Sequence, residues 1–97
     1  MLDLYSHWIN VLREKDEFIM FEEGDDAIKI YKDKILYFRY IDGQFRLIEK
    51  AIINNLEYII SQIADEYMIM LDNKNLKKDT IHHSMIIYIY SHFIKGR

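Results

Sequence analysis

The chain has 97 residues and a formal net charge of −3, from 13 basic and 16 acidic side chains. This length fits a single domain, residues 1–97, and the acidic balance disfavours nucleic-acid binding, which usually needs a basic surface. The absence of Cys excludes disulfides, thiol catalysis and Cys-based zinc sites, and it fits a reducing, cytoplasmic compartment.

The first predicted element is an amphipathic helix over residues 2–15. Its apolar positions recur at helical spacing, at Leu2, Tyr5, Trp8, Ile9 and Leu12. Asp3 in the first turn and Arg13 in the last complement the helix dipole. We expect Trp8 to be buried against the sheet.

Strand patterns follow, over residues 17–22, 27–31, 35–41 and 44–49. Because the connections between them are short, the strands are predicted to form an antiparallel meander. The register at the turn over residues 32–34 stays open. A slip of one residue there would exchange Ile28 and Ile30 between the two faces of the sheet.

Asp42-Gly43 is the strongest turn signal, since a two-residue type I′ hairpin needs positive φ at both central positions. Such a turn fixes the register of the last two strands. One face then carries two cross-strand pairs, Tyr40 with Phe45 and Phe38 with Leu47. The other face carries Arg39 opposite Arg46, flanked by Tyr37 and Ile48.

Like charges directly opposite each other on a sheet are unfavourable unless something negative lies nearby. Two interpretations of the arginine pair follow. Either Asp26, or Glu17 and Glu22, neutralises it from within the sheet, or it anchors a partner that bears a carboxylate. On the second interpretation the candidate partner-binding residues are Arg39, Arg46, Tyr37 and Tyr31.

Two helices are predicted after the sheet. The longer, over about residues 50–71, has a continuous apolar stripe from Ile52 to Leu71. The second, over residues 80–95, lies between a plausible N-cap at Asp79 or Thr80 and a C-terminal Gly96. Residues 85–90 would also suit a strand. As a helix this segment is apolar nearly all round, which indicates deep burial or an oligomer contact.

The predicted order is α-β-β-β-β-α-α, an α+β domain with one N-terminal and two C-terminal helices on a four-stranded antiparallel sheet. Both faces of this sheet are partly apolar. The helices could therefore cover both faces, or one aromatic face could be left for a partner.

Residues that usually carry chemistry are sparse. His82, His83 and His92 lack the spacing of a metal site, and the acidic turn over residues 22–26 lacks the ligand spacing of a calcium loop. The few Ser residues occupy no nucleophile elbow, and the three glycines make no phosphate loop. We expect no enzyme activity, no metal and no cofactor. The lysines at 74, 77 and 78 are typical of a solvated helix end.

These observations favour a small, non-enzymatic protein-interaction module such as a regulator, an inhibitor or an immunity-type protein. A bias to Ile, Lys, Asn and Tyr without Pro suggests an AT-rich bacterial or phage genome. The expected partners are another protein and a second copy, as a homodimer. No apolar run reaches membrane-spanning length, and the N-terminus lacks a signal-peptide pattern. The alternative function is nucleic-acid binding through a basic, aromatic sheet face.

Overall fold

The computed structural model describes residues 3–95, and within them the predicted element order and the α+β class are confirmed. The elements are α1 (Leu4–Arg13), β1 (Ile19–Glu23), β2 (Asp26–Ile30), β3 (Lys34–Ile41), β4 (Gln44–Ile52), α2 (Leu56–Asp72) and α3 (Lys78–Ile89), which continues as a π-helical segment over Tyr90–Ile94. The predictions for Leu2 and Gly96 lie outside the described residues.

The sheet is an antiparallel meander in the order β1-β2-β3-β4, so β1 and β4 are its edges. The β3–β4 hairpin has the predicted turn, with φ of 51° at Asp42 and 87° at Gly43. Arg39 pairs with Arg46 and Tyr40 with Phe45, as the turn required. The Asp42-Gly43 signal therefore set the register of this half of the hairpin correctly.

The register set by the turn does not continue to Tyr37 and Ile48. Tyr37 pairs with Glu49 and Phe38 with Leu47, so Ile48 is an extra residue in a β-bulge. A bulge inserts one residue into one strand and leaves it unpaired. The turn dictates pairing only as far as this irregularity, which the alternation of residue types does not reveal.

The helices α1, α2 and α3 pack on one face of the sheet, which we call the inner face. Its buried side chains belong to the same cluster as those of the helices, and they are Ile19, Phe21, Ile28, Ile30, Ile35, Tyr37 and Ala51. Ile28 and Ile30 are both 0% exposed, which settles the register that the sequence left open at the turn over residues 32–34. The opposite face, which we call the open face, is not covered by any helix of the described chain.

Trp8 joins α1 to both layers, as expected. Its side chain is 8% exposed, and its ring lies 6.0 Å from that of Phe21 on β1 and 5.6 Å from that of Tyr67 on α2. Asp3 proves to be the N-cap of α1, where its carboxylate accepts a hydrogen bond from the Tyr5 backbone N–H. An ion pair between Arg13 and Glu57 links the end of α1 to the start of α2.

Three predicted boundaries are corrected. β4 continues to Ile52 and α2 begins at Leu56, because the backbone of residues 49–52 pairs with β3 and the Asn55 side chain caps the helix by accepting from the Tyr58 N–H. The third helix begins at Lys78, so neither Asp79 nor Thr80 is its N-cap.

Residues 85–90 are helical, as favoured over a strand. Burial of α3 is one-sided, however. Ile86 is 5% exposed whereas Ile87 is 52% exposed. The helix is therefore deeply buried along one stripe only, although its sequence is apolar nearly all round.

Candidate functional site

A row of four charged residues crosses the inner face at the end of the sheet nearest the Asp42-Gly43 turn. Glu23, Asp26, Arg39 and Arg46 lie side by side on β1, β2, β3 and β4 respectively. The two carboxylates occupy β1 and β2, and the two guanidinium groups occupy β3 and β4. The opposite charges therefore meet between Asp26 and Arg39, on the two central strands. The unfavourable arginine pair therefore has a negative neighbour.

Tyr37 completes this arrangement. Its hydroxyl donates a hydrogen bond to Asp26 Oδ1 at 2.7 Å and accepts one from Arg39 Nη2 at 2.9 Å. Arg39 Nε lies 3.4 Å from the same Asp26 oxygen. Of the two interpretations offered for the arginine pair, neutralisation by Asp26 is thus confirmed for Arg39. Arg46 is exposed on the edge strand.

The electrostatics agree with this geometry. Burial, followed by the hydrogen bond to Asp26, raises the pKa of the Tyr37 hydroxyl. The hydrogen bond to Tyr37 raises the pKa of the Arg39 guanidinium, with Asp26 contributing in the same direction. The network therefore favours a neutral tyrosine between a carboxylate and a charged arginine over the whole physiological pH range.

A pocket of about 370 Å³ lies between this network and the end of α3. Its α3 wall includes His83 and Ile87, and the π-helical segment contributes Tyr90 and Ser91. The Tyr90 hydroxyl donates to Glu49 Oε1 at 2.7 Å, a bond that raises the pKa of Tyr90.

The fourth predicted site residue lies elsewhere. Tyr31 follows the other end of β2, where its ring packs 5.5 Å from that of Phe18 and Lys34 Nζ lies 5.0 Å from its centroid. It is separated from Asp26 by the whole length of β2, and successive strand residues point to opposite faces. The structure brings Arg39, Arg46 and Tyr37 together but does not bring Tyr31 to them.

The open face of the sheet carries exposed apolar side chains. Five large apolar residues on this face keep about half of their surface accessible to solvent. Their exposed fractions are 52% for Leu47, 50% for Ile52, 46% for Tyr40, 42% for Met20 and 41% for Phe45. Register places the following residues on this face: Met20, Glu22, Ala27, Lys29, Lys34, Leu36, Phe38, Tyr40, Phe45, Leu47, Lys50 and Ile52.

Lysine side chains lie among these apolar groups. Lys29 Nζ is 4.8 Å from the ring centroid of Phe18 and 5.5 Å from that of Phe38, so the ammonium group spans two aromatic rings. Beside it a hollow of about 340 Å³ opens above Ala27, lined among others by Met20, Phe38 and Phe45. Ala27 is the small residue that makes this depression in the sheet surface.

The candidate residues Arg39, Arg46 and Tyr37 lie on the inner face of the sheet. The turn register correctly placed Phe38, Tyr40, Phe45 and Leu47 together on the other face, but these residues were not predicted as a site. The missed signal was the alternation in β1 and β2, where Met20 and Lys29 fall opposite to the buried Ile and Phe positions. Continuing that alternation across the sheet gives the open face directly.

No protein-family model, curated protein or solved structure matches the chain. The geometry must therefore carry any functional argument. Among residues 3–95 no helix has the length and apolarity needed to cross a bilayer, and no three His, Cys, Asp or Glu side chains are grouped to hold a metal ion.

Proposed function

We propose that this chain is a non-enzymatic protein-interaction module, acting as a regulator, an inhibitor or an immunity-type protein, and that its contact surface is the open face. The observation that carries the proposal is the exposure of Leu47, Ile52 and their neighbours on a sheet face without a covering layer. Lack of Cys supports a cytoplasmic setting.

Physical reasoning supports this assignment. A sheet normally buries its apolar face against a second layer, and large contiguous apolar patches on soluble proteins commonly mark interaction sites. Aromatic residues and Met are enriched in protein interfaces, and this face presents Met20, Tyr40 and Phe45. A partner that covers the face would supply the missing layer.

The test is affinity capture from a lysate of the native host, comparing wild type with Leu47→Ser/Ile52→Ser. The matched control is Ile69→Ser/Leu71→Ser, which removes two exposed apolar side chains from α2 on the other side of the molecule. Because all four positions are exposed, we expect the free energy of unfolding of each variant to lie within about 1 kcal/mol of the wild-type value.

We expect a protein retained by wild type and by the α2 control to be lost with the open-face variant. Equal capture by all three chains would overturn the proposal. So would loss confined to the α2 control, because that result would place the contact surface on the helices.

A homodimer is proposed separately, through the edge strand β4. Gln44–Ile48 is exposed along its length, and an uncovered edge strand presents unpaired backbone groups to a second copy. Symmetric pairing of two β4 strands would leave both open faces free. Sedimentation over a concentration series should show a dimer at roughly tens of micromolar, the usual range for weak modules. A strict monomer there would exclude this dimer.

The predicted partner site remains a separate proposal, for which Arg39→Glu/Arg46→Glu is the test. Its residues are Arg39, Arg46, Tyr37 and Tyr31. We expect this variant to retain any partner that binds the open face, since its charges change on the inner side of the sheet. Loss of the same partner with this variant, while it remains folded, would return the contact to Arg39, Arg46 and Tyr37.

A further inference from the structure

The charge of the open face is opposite in sign to that of the whole chain. Lys29, Lys34 and Lys50 lie on this face with a single carboxylate, Glu22, whereas the chain as a whole has a net charge of −3. Lys34 also contacts Asp33 at 3.5 Å, but Lys29 and Lys50 form no ion pair within residues 3–95. The face is therefore a basic, apolar patch on an acidic molecule.

We propose that the open face binds an acidic protein surface, with one large apolar side chain of the partner entering the hollow above Ala27 and partner carboxylates meeting Lys29 and Lys50. This inference rests on the proposed function and names the chemistry of the partner. Complementary charge selects the partner and speeds encounter, while the buried apolar anchor supplies most of the affinity.

The hollow fits this role by its shape and lining. About 340 Å³ is open above Ala27, and the walls formed by Met20, Phe38 and Phe45 are apolar. Lys29 and Glu22 also line the hollow, so an apolar group that enters it lies beside one ammonium and one carboxylate. Apolar contacts next to charged groups are typical of protein interfaces.

The state of the aromatic rings argues against single-stranded nucleic acid as the occupant. Base stacking needs free ring faces. Here Lys29 lies over Phe18 and Phe38, and the rings of Tyr40 and Phe45 pack edge to face at 5.2 Å. The exposed aliphatic side chains of the face have no partner in a nucleic acid either, whereas a protein surface can bury them.

Charge argues against a second copy on this face. Two open faces packed together would bring their lysines into one interface with only Glu22 from each copy to offset them. Like charges brought together in an interface are unfavourable. The β4 edge remains available for self-association without this penalty.

The experiment selects a library of random displayed dodecapeptides on the immobilised full chain and then measures the affinity of individual peptides by fluorescence anisotropy. We expect selected sequences rich in Asp and Glu around Leu, Phe or Trp. Lys29→Glu/Lys50→Glu should weaken their binding about tenfold or more, since a tenfold change corresponds to about 1.4 kcal/mol. Ala27→Leu, which fills the hollow, should do the same.

The control is Lys74→Glu/Lys77→Glu, which makes an equal charge change in the segment between α2 and α3 and should leave affinity unchanged. Circular dichroism verifies that each variant is folded. A labelled oligo(dT) is titrated in parallel at low salt. Light scattering gives the molar mass of each variant in solution and so its oligomeric state.

Selected peptides without acidic enrichment would overturn the inference, and so would binding that both open-face variants retain. Oligo(dT) binding that Lys29→Glu/Lys50→Glu abolishes would assign the face to nucleic acid, and a dimer lost on Ala27→Leu would assign it to a second copy. Peptides that lack acidic residues but are lost with Leu47→Ser/Ile52→Ser would leave the proposed function intact while removing the acidic partner.

Discussion

At the scale of single residues, Asp26 makes a crowded charge arrangement tolerable. It neighbours Arg39 on the next strand, and Arg39 in turn lies beside Arg46. The Asp26 carboxylate accepts the Tyr37 hydroxyl at 2.7 Å, so one side chain satisfies two neighbours. Removal of the Asp26 carboxylate would leave the guanidinium groups of Arg39 and Arg46 next to each other without the negative charge that now contacts Arg39.

Asp26→Ala is expected to lower the free energy of unfolding by about 1–2 kcal/mol, because a partly buried hydrogen bond and an ion pair are lost together. A double-mutant cycle with Arg39→Ala, measured by urea unfolding, should give losses that are not additive. Additive effects of the two substitutions would show that the Asp26–Arg39 contact contributes no stability.

Trp8 belongs to the core rather than to a partner surface. Trp8→Ala should lower the free energy of unfolding by about 3–5 kcal/mol, the usual loss for a large aromatic residue in a packed site. Its ring contacts with Phe21 and Tyr67 connect α1 to β1 and α2. Urea unfolding followed by circular dichroism measures the loss, and a value below about 1 kcal/mol would contradict the packing described.

At the scale of elements, the β3–β4 turn depends on backbone conformation alone. Gly43 has a φ of +87°, and a Cβ built on it would meet no atom within 4 Å. Gly43→Ala is therefore expected to cost about 1 kcal/mol of unfolding free energy through the left-handed conformation. Gly43→Asn should cost less, since Asn tolerates this region. Equal losses, measured by urea unfolding, would show that the turn changes type.

The hairpin and the strands of the meander could be predicted because turn residues and alternation act locally. The junction of β4 and α2 could not. Ile52 continues the apolar stripe of the helix backwards from Leu56, and the apolar run from Ala51 to Ile53 also fits a strand. Pairing of residues 49–52 with β3 decides between the two, and pairing is a property of the fold rather than of the local pattern.

At the scale of the whole molecule, the sequence could not show which face of the sheet the helices cover. Each helix needs an apolar surface, and both faces of the sheet offer one. The helices assemble on the side where Ile28, Ile30 and Ile35 form a continuous aliphatic floor, and these residues are almost fully buried. The opposite side is interrupted by lysines, so covering it would bury charge.

Stability at alkaline pH is a property of the whole molecule, because three tyrosines resist ionisation in the folded state. Burial raises the pKa of Tyr37 and Tyr88 above 10.0, and the hydrogen bond to Glu49 raises that of Tyr90. Their folded pKa values exceed the unfolded ones. Their contribution to the free energy of unfolding is therefore fully present below about pH 10. It is lost as the pH rises through the pKa values of the three tyrosines in the folded state.

Urea unfolding between about pH 8 and about pH 11 should accordingly show a falling free energy of unfolding. Tyr37→Phe should reduce the slope, because one titrating group is removed. Leu47→Ser, an exposed substitution that removes no titrating group, is the control and should leave the slope close to that of wild type. An identical slope for Tyr37→Phe would contradict the assignment.

The bulge at Ile48 has a consequence for how β4 tolerates changes in length. In an unbroken strand, Leu47 and Glu49 would share a face, yet here Leu47 points to the open side and Glu49 to the inner side. In residues 44–47 the even-numbered side chains point to the inner face, whereas in residues 49–52 the odd-numbered ones do, and Ile48 lies unpaired between the two segments. Deletion of Ile48 would let the residues on both sides of it keep their present β3 partners and faces. Deletion of any other residue of β4 would move part of the strand's side chains to the opposite face of the sheet.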